Sequence, residues 1–336
     1  MVIRIGLIGA GWVTAYHLDA YRSFGDRVQV VAIADPSEAA RSARAGTYGI
    51  QHTYDDAARM LALEQLDAVD IASPRQCHVE HVRQAAFSGR AVFCQKPLAP
   101  SFAEAAALVE EVGARVPFMV HENWRFRPHY RQIKAWLDAD RIGVPQQVTM
   151  SLLTSGLVPD AEGRLPALAR QPMLKTLDQM LLKEILVHHI DTLRFLLGEL
   201  SLMVARVGRQ SDAVIGDDHA HLAMSTRDGA PVTLTGNLCA HGYPSEAFDR
   251  LEILGSKGRI LLERDRLMLD GAAPAVLSLD LAENYRASYR GAIGHFLDGL
   301  ASGNIIENRA ADNLGTLRLV DEGYARGSTP IEVAVD

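Results

Sequence analysis

Apolar positions along the chain fall into two alternating rhythms. Short apolar runs at Val2–Ile8, Val28–Ala34, Leu66–Ala72, Ala91–Cys94 and Val116–Val120 predict strands buried on both faces. Between them, Ala15–Tyr21, Ser37–Tyr48, His78–Phe87 and Ser101–Val112 carry their apolar residues at helical spacing. Ser73-Pro74 breaks the chain after the third run, and Gly89 follows the helix that ends at Phe87. Strands alternating with helices through short loops predict an α/β fold with a doubly wound parallel sheet. Ligands of such sheets lie at the carboxyl ends of the strands. Asp35, Ser73, Pro74, Lys96 and the residues after Val120 all fall at that edge.

From about residue 121 the rhythm changes. Asn123-Trp124-Arg125-Phe126-Arg127-Pro128 leads into a helix ending near Arg141. Gln147–Leu153, Leu202–Arg209, His219–Thr226, Val232–Leu238, Arg250–Gly255 and Arg259–Leu262 read as strands of a larger, open sheet. Met180–Leu197 reads as one strongly apolar helix, and helices at Asn284–Leu300 and Arg309–Ala325 close the chain. Ser155–Pro172 is the longest expected loop and a candidate lid or specificity loop. The change of texture divides the chain into residues 1–120 and 121–336.

A length of 336 residues accommodates two such cores. Hydrophobic and charged contents of 48% and 22% are those of a globular chain. A net charge of −7 without any Lys/Arg cluster argues against a nucleic-acid partner. Cys77, Cys94 and Cys239 are few and widely spaced, so buried thiols are expected rather than disulfides or a metal site. The first strand begins almost at Met1, and no apolar run is long enough to cross a bilayer. The expectation is a cytoplasmic protein with no membrane partner.

The first strand carries the most specific chemistry. It runs into Gly9-Ala10-Gly11-Trp12-Val13-Thr14 and then a helix. Gly9 suits a tight turn, Gly11 leaves room for a pyrophosphate, and the helix's first N–H groups would face phosphate oxygens. The second strand ends in Asp35, about 20 residues beyond the glycines, where a carboxylate can accept from a ribose diol. Strand, turn, helix, strand and acid in that order predict dinucleotide binding. Asp35 repels a 2′-phosphate and so favours NAD over NADP. Thr14 replaces the third glycine of the fingerprint, which predicts slightly looser helix–strand packing.

Two further groups suit redox chemistry. Lys96 follows a strand and precedes Pro97, so its ammonium can stabilise negative charge on a reacting oxygen. Glu184, His188 and Asp191 stand at i, i+4 and i+7, a spacing that stacks them on one helix face. An imidazole flanked by carboxylates is a proton-transfer set. A solvated surface lysine and a water-facing stripe are the alternatives.

These segments together resemble the glucose–fructose oxidoreductase, inositol dehydrogenase and MocA family. Gly6-Leu7-Ile8-Gly9-Ala10-Gly11 is similar to its opening motif, and Pro74 with His78 to its Pro-x-x-x-His segment. Gln95-Lys96-Pro97 resembles its Glu-Lys-Pro signature, with Gln95 in place of the acid. Asn123–Pro128 and His188-His189-Ile190-Asp191 resemble two more segments. The resemblance implies a Rossmann domain followed by an α/β domain whose open, largely antiparallel sheet mediates homodimers or homotetramers. It implies NAD(P)-linked oxidation of a sugar, cyclitol or related polyol, or reduction of the matching ketone. Lys96 would sit beside the nicotinamide, and His188 would act on the substrate hydroxyl; the i, i+4 spacing of Glu184 and His188 adds the expectation that Glu184 orients the imidazole. Gly9, Gly11, Trp12, Val13, Asp35, Ser73, Pro74, His78, Gln95 and Lys96 are the expected cofactor contacts. Asn123, Arg125, His188 and Asp191 are the expected substrate contacts. The chain departs from the family with Glu184 where Asp is usual, Leu186 where glycine is usual, and Asp178-Gln179 near a missing double glycine. The alternatives are a reductase of a non-sugar carbonyl or imine, a hydrolase-like use of bound NAD, and a non-catalytic NAD(P)-binding regulator.

Overall fold

A computed structural model describes residues 2–304 and 306–327. In chain order the first elements are β1 (Ile3–Ile8), α1 (Thr14–Arg22), β2 (Val28–Ala34), α2 (Glu38–Tyr48), β3 (His52–Tyr54) and α3 (Ala57–Leu63). There follow β4 (Ala68–Ile71), α4 (His78–Phe87), β5 (Ala91–Gln95), α5 (Phe102–Val112) and β6 (Phe118–His121). Then come α6 (Pro128–Asp138), β7 (Pro145–Leu153), α7 (Pro166–Arg170) and α8 (Val187–Leu197). Strands β8 (Leu200–Gly208), β9 (His219–Thr226), β10 (Pro231–Asn237) and β11 (Asp249–Gly255) are next. Strands β12 (Arg259–Glu263), β13 (Arg266–Asp270) and β14 (Ala275–Ser278) precede α9 (Leu281–Ser302) and α10 (Ala310–Gly327). The pattern foresaw most of these. It missed β3, α3, β13 and β14, and it read the segment that holds α7 as loop.

Among the described residues the chain folds as two compact units: residues 2–127 with 282–317, and 128–281 with 318–327. The first holds a six-stranded parallel sheet in the order β3-β2-β1-β4-β5-β6. This is the doubly wound dinucleotide-binding order, reversing between β1 and β4. Alternation along each strand feeds two faces. Val69, Ile71, Val92 and Cys94 pack against α3, α4 and α5 through Met60, Val82 and Leu108. Ile5, Phe93 and Met119 pack the other way, on Tyr21 of α1 and on Ile293, Phe296 and Leu297 of α9. Thus α9 and the start of α10, which the change in texture groups with residues 121–336, supply core to the first unit.

The second unit is built on an eight-stranded sheet, β14-β13-β12-β11-β7-β10-β9-β8, in which, among the described residues, only β7 and β10 pair in parallel. One face is apolar and buried, with Val148, Met150, Leu222, Leu234, Leu251 and Ile253. Gly236 sits where a side chain would strike Leu186, so the chain before α8 lies directly on the sheet. The expected loop at Ser155–Pro172 contains α7 and is stitched down by Leu157 N–H to Leu238 O (2.8 Å) and Ala167 N–H to Gly156 O (2.8 Å). No helix among the described residues is long and apolar enough to cross a membrane.

Phe296 is fully buried and stacks on Phe93 with ring centroids 5.0 Å apart. Replacing it with alanine is expected to destabilise the first unit by about 3–5 kcal/mol. Denaturant unfolding monitored by dinucleotide-binding competence would measure that loss.

Candidate active site

The carboxyl edge of the first sheet assembles from its loops. Gly9 has φ +104°, and its N–H donates to Ala34 O at 2.8 Å. A Cβ there would lie 2.6 Å from Ala72 O and 2.8 Å from Ser73 N, so the turns after β1 and β4 are in contact where the sheet order reverses. Gly11 is different: a Cβ would meet nothing within 4 Å. The turn is open on that side, the space a pyrophosphate needs. Thr14 is fully buried and its hydroxyl donates to Gly9 O at 3.0 Å. The missing third glycine therefore closes the turn with a hydrogen bond, where looser packing was expected. Trp12 is 62% exposed, its ring edge-on to Tyr16 at 5.1 Å, with Val13 beside it at the start of α1.

Asp35 closes the other side. Its carboxylate accepts from Ala10 N–H at 2.7 Å and Ser37 N–H at 2.8 Å. Each oxygen keeps lone-pair capacity for a diol. Arg41 donates to the Asp35 and Pro36 carbonyls, and Arg44 to Gly11 O at 2.9 Å. Arg44 escaped the sequence reading, because a guanidinium facing backbone carbonyls leaves no local pattern.

Loop ends after β4 and β5 are tied together by one buried histidine. His78 is 1% exposed, with Nδ1 at 2.8 Å from Pro97 O and Nε2 at 2.9 Å from Ser73 O. It clamps the segment behind Lys96 to the segment behind β4, while Pro74 is exposed. Lys96 is half-buried, and the Gln95 side chain turns inward to His17 and His121. Asn123 and Arg125 are buried, and the Asn123 amide donates to Ser288 Oγ at 2.8 Å.

In the second unit the apolar run Met180–Leu197 is not one helix. Leu181–Ile185 forms a π-helical turn, with Leu186 N–H reaching Leu181 O at 2.8 Å, and α8 follows. Asp217 caps the start of this turn, its carboxylate accepting from Met180 N–H and Leu182 N–H, both at 2.8 Å. Tyr324 donates to the same carboxylate at 2.9 Å and accepts from Lys183 N–H at 3.2 Å. The π-helical turn interrupts the continuous α-helical spacing on which the stripe of Glu184, His188 and Asp191 was expected. His188 and Asp191 remain neighbours on α8, 7% and 0% exposed, and Glu184 is half-buried one turn earlier. His189 points elsewhere, its Nε2 at 2.9 Å from Asp249 Oδ1, whose other oxygen accepts from Tyr130 OH at 2.8 Å. It is a core residue. π-Turns recur where a side chain must be aimed for function.

The glycine turn fits a dinucleotide. Gly9→Ala is expected to destabilise the fold by roughly 2 kcal/mol or more through its strained φ and backbone clash. Gly11→Ala should stay within about 0.5 kcal/mol of wild type in unfolding experiments, yet weaken NAD binding at least about tenfold by calorimetry.

Burial pushes the His78 imidazole below its ordinary 6.5, outweighing its two carbonyl contacts, and the nearby His81 and Lys96 charges add to the fall. The folded ring therefore binds fewer protons than the unfolded one, so stability drops as pH falls below about 6.5. The slope from this group is at most about 1.4 kcal/mol per pH unit. Denaturant unfolding at a series of pH values should show that loss, and His78→Gln should flatten it.

Comparison with known proteins agrees with this geometry. Residues 3–118 match a family model described as "Oxidoreductase family, NAD-binding Rossmann fold", and residues 130–261 match "GFO/IDH/MocA C-terminal domain". A D-apiose dehydrogenase of Paraburkholderia graminis is 31% identical, over 97% of this chain and 88% of its own length. An inositol 2-dehydrogenase of Rhizobium meliloti is 29% identical, with 96% of each chain covered. An oxidoreductase from Agrobacterium radiobacter, solved with NAD+, L-tartaric acid and magnesium, superposes with a TM-score of 0.89 at 27% identity. That superposition covers 97% of this chain and 96% of the other.

Proposed function

The chain belongs to the glucose–fructose oxidoreductase, inositol dehydrogenase and MocA family of NAD-binding oxidoreductases, and from that footing we propose that it oxidises a secondary hydroxyl of a sugar, cyclitol or related polyol with NAD, or reduces the matching ketone. One observation carries the reading. Gly9, Asp35, Ser73 and Lys96 stand together at the carboxyl edge of a parallel sheet whose order reverses between β1 and β4. Dinucleotides bind at that place in such folds.

Bound NAD supplies the acceptor for the carbinol hydrogen, which leaves as hydride. The chain's own groups handle the rest. His188 takes the hydroxyl proton, and Glu184, held in the π-helical turn by Asp217, orients it. The Lys96 ammonium, at the carboxyl edge of the first sheet, is assigned to stabilising the negative charge that develops on the reacting oxygen. Asp191, Asn123 and Arg125 are assigned to the substrate's remaining hydroxyls.

NAD is the proposed cofactor rather than NADP. The Asp35 carboxylate would repel a 2′-phosphate, and the neighbouring Arg41 and Arg44 donate to backbone carbonyls. Homo-oligomerisation through the second sheet belongs to the same reading, supported by Met203 and Val204, both exposed on β8.

The test is a spectrophotometric screen of sugars and cyclitols with NAD and with NADP, followed by variants on the substrate found. Lys96→Ala is expected to lower kcat/KM by about 10²–10³-fold and His188→Ala by about 10²–10⁴-fold. Near-wild-type turnover by either variant overturns the assignment of that residue. NAD binding without turnover of any polyol overturns the dehydrogenase reading in favour of a regulator.

A further inference from the structure

A polar chain lies buried behind Lys96, wholly within the first unit. It comprises His17 from α1, Asp70 from β4, Gln95 from β5 and His121 from β6, none more than 9% exposed. Gln95 Nε2 is 2.7 Å from His17 Nε2 and 2.6 Å from His121 Nδ1. Gln95 Oε1 accepts from the backbone N–H of Lys96 at 3.2 Å. His17 Nδ1 lies 2.7 Å from Asp70 Oδ2, which also accepts from Tyr21 OH at 3.0 Å.

Hydrogen-bond chemistry leaves this chain one consistent arrangement. The Lys96 N–H can only donate, so the amide oxygen of Gln95 must face it. The amide NH2 then faces both rings, and because it has two hydrogens and no acceptor, each facing ring nitrogen must accept. His17 therefore carries its proton on Nδ1 and donates it to Asp70 in a hydrogen bond. His121 carries its proton on Nε2. The other titratable groups around the chain are Tyr16 and Tyr21 of α1, Cys94 of β5, and Tyr285 and Tyr289 of α9. Burial, first of all, holds the Tyr21, Tyr285 and Tyr289 hydroxyls and the Cys94 thiol above their ordinary ranges, so these keep their protons.

We propose that Gln95 is a positioning residue for Lys96 that works by selecting tautomers: its amide holds His17 and His121 as neutral acceptors and so anchors the Lys96 backbone without setting a charge beside the ammonium. A carboxylate at this position has no hydrogen to give. In a Gln95→Glu variant His121 can meet the carboxylate by moving its one proton to Nδ1, but His17, whose Nδ1–H is given to Asp70, would have to take up a second proton to restore its contact. The idea rests on the reading of Lys96 above.

The first measurement needs no assay of turnover. Histidine 15N NMR of the wild-type protein at pH 7, assigned with His17→Gln and His121→Gln, should show a neutral Nδ1–H ring for His17 and a neutral Nε2–H ring for His121. A doubly protonated ring, or the opposite tautomer at either site, overturns the proposal. The second measurement is kinetic. Gln95→Met should lose about tenfold in kcat while KM for NAD stays within about twofold, since anchoring is lost but the cofactor contacts are kept. Gln95→Glu should recover most of that kcat at low pH, gain one imidazolium signal, and lose activity as pH rises and that ring gives up its proton. A Gln95→Met enzyme with wild-type kcat, or a Gln95→Glu enzyme with the wild-type pH profile, overturns the positioning role. If Lys96→Ala keeps turnover while both wild-type tautomers are as stated, the Lys96 reading fails and the positioning role with it, and the tautomer assignment survives.

Discussion

The contact between two turns governs the first unit. Gly9 sits at a positive φ so that its α-carbon can pass within touching distance of Ala72 and Ser73, where any side chain would collide. That closeness brings the ends of β1 and β4 together at the reversal of strand order. Asp35 reinforces it by taking the Ala10 N–H, and Thr14 by donating to the Gly9 carbonyl. His78 then joins the end of β4 to the segment behind Lys96. Backbone geometry, one carboxylate, one hydroxyl and one imidazole thus gather the positions assigned to phosphate, ribose and hydride along a single edge.

Much of this was readable because the signals are local. Gly9, Gly11 and Asp35 lie within two strands of each other in sequence, and their spacing alone specifies the turn and its acid. The long apolar runs fixed the parallel sheet, and alternation fixed most of the second sheet. What escaped depends on partners far along the chain. Nothing within Met180–Leu197 announces a π-helical turn, since Asp217 and Tyr324, which hold it, come from other elements. The inward turn of Gln95 is equally invisible locally, because its partners sit on α1 and β6. A hint existed in Asp70, an acid inside an otherwise apolar buried strand. Such a residue requires a partner, and the sequence does not say which.

Buried carboxylates recur as fasteners. Asp70 collects an imidazole and a phenol, Asp217 two backbone amides and a phenol, and Asp249 an imidazole and a phenol. Asp218 takes the amides of Gln210 and Ser211. Each acid joins separate segments of the chain, and each has at least two donors, which offsets the cost of removing it from water. The His189 contact explains why two adjacent histidines have unlike surroundings: one is committed to holding α8 against β11, and its neighbour, a step around the helix, is the one assigned to the chemistry.

The return of residues 282–317 to the first unit has a consequence for how the molecule is made. A chain emerging from the ribosome delivers all six strands of the parallel sheet before the helix that covers Ile5, Phe93 and Met119 has been synthesised. The intervening 154 residues, 128–281, form most of the second unit and have the opportunity to fold first. Until α9 arrives, the nascent sheet presents a bare apolar face, and closing it joins segments far apart in sequence, a slow kind of step. During translation the nucleotide-binding unit, although encoded first, is therefore finished after the bulk of its companion.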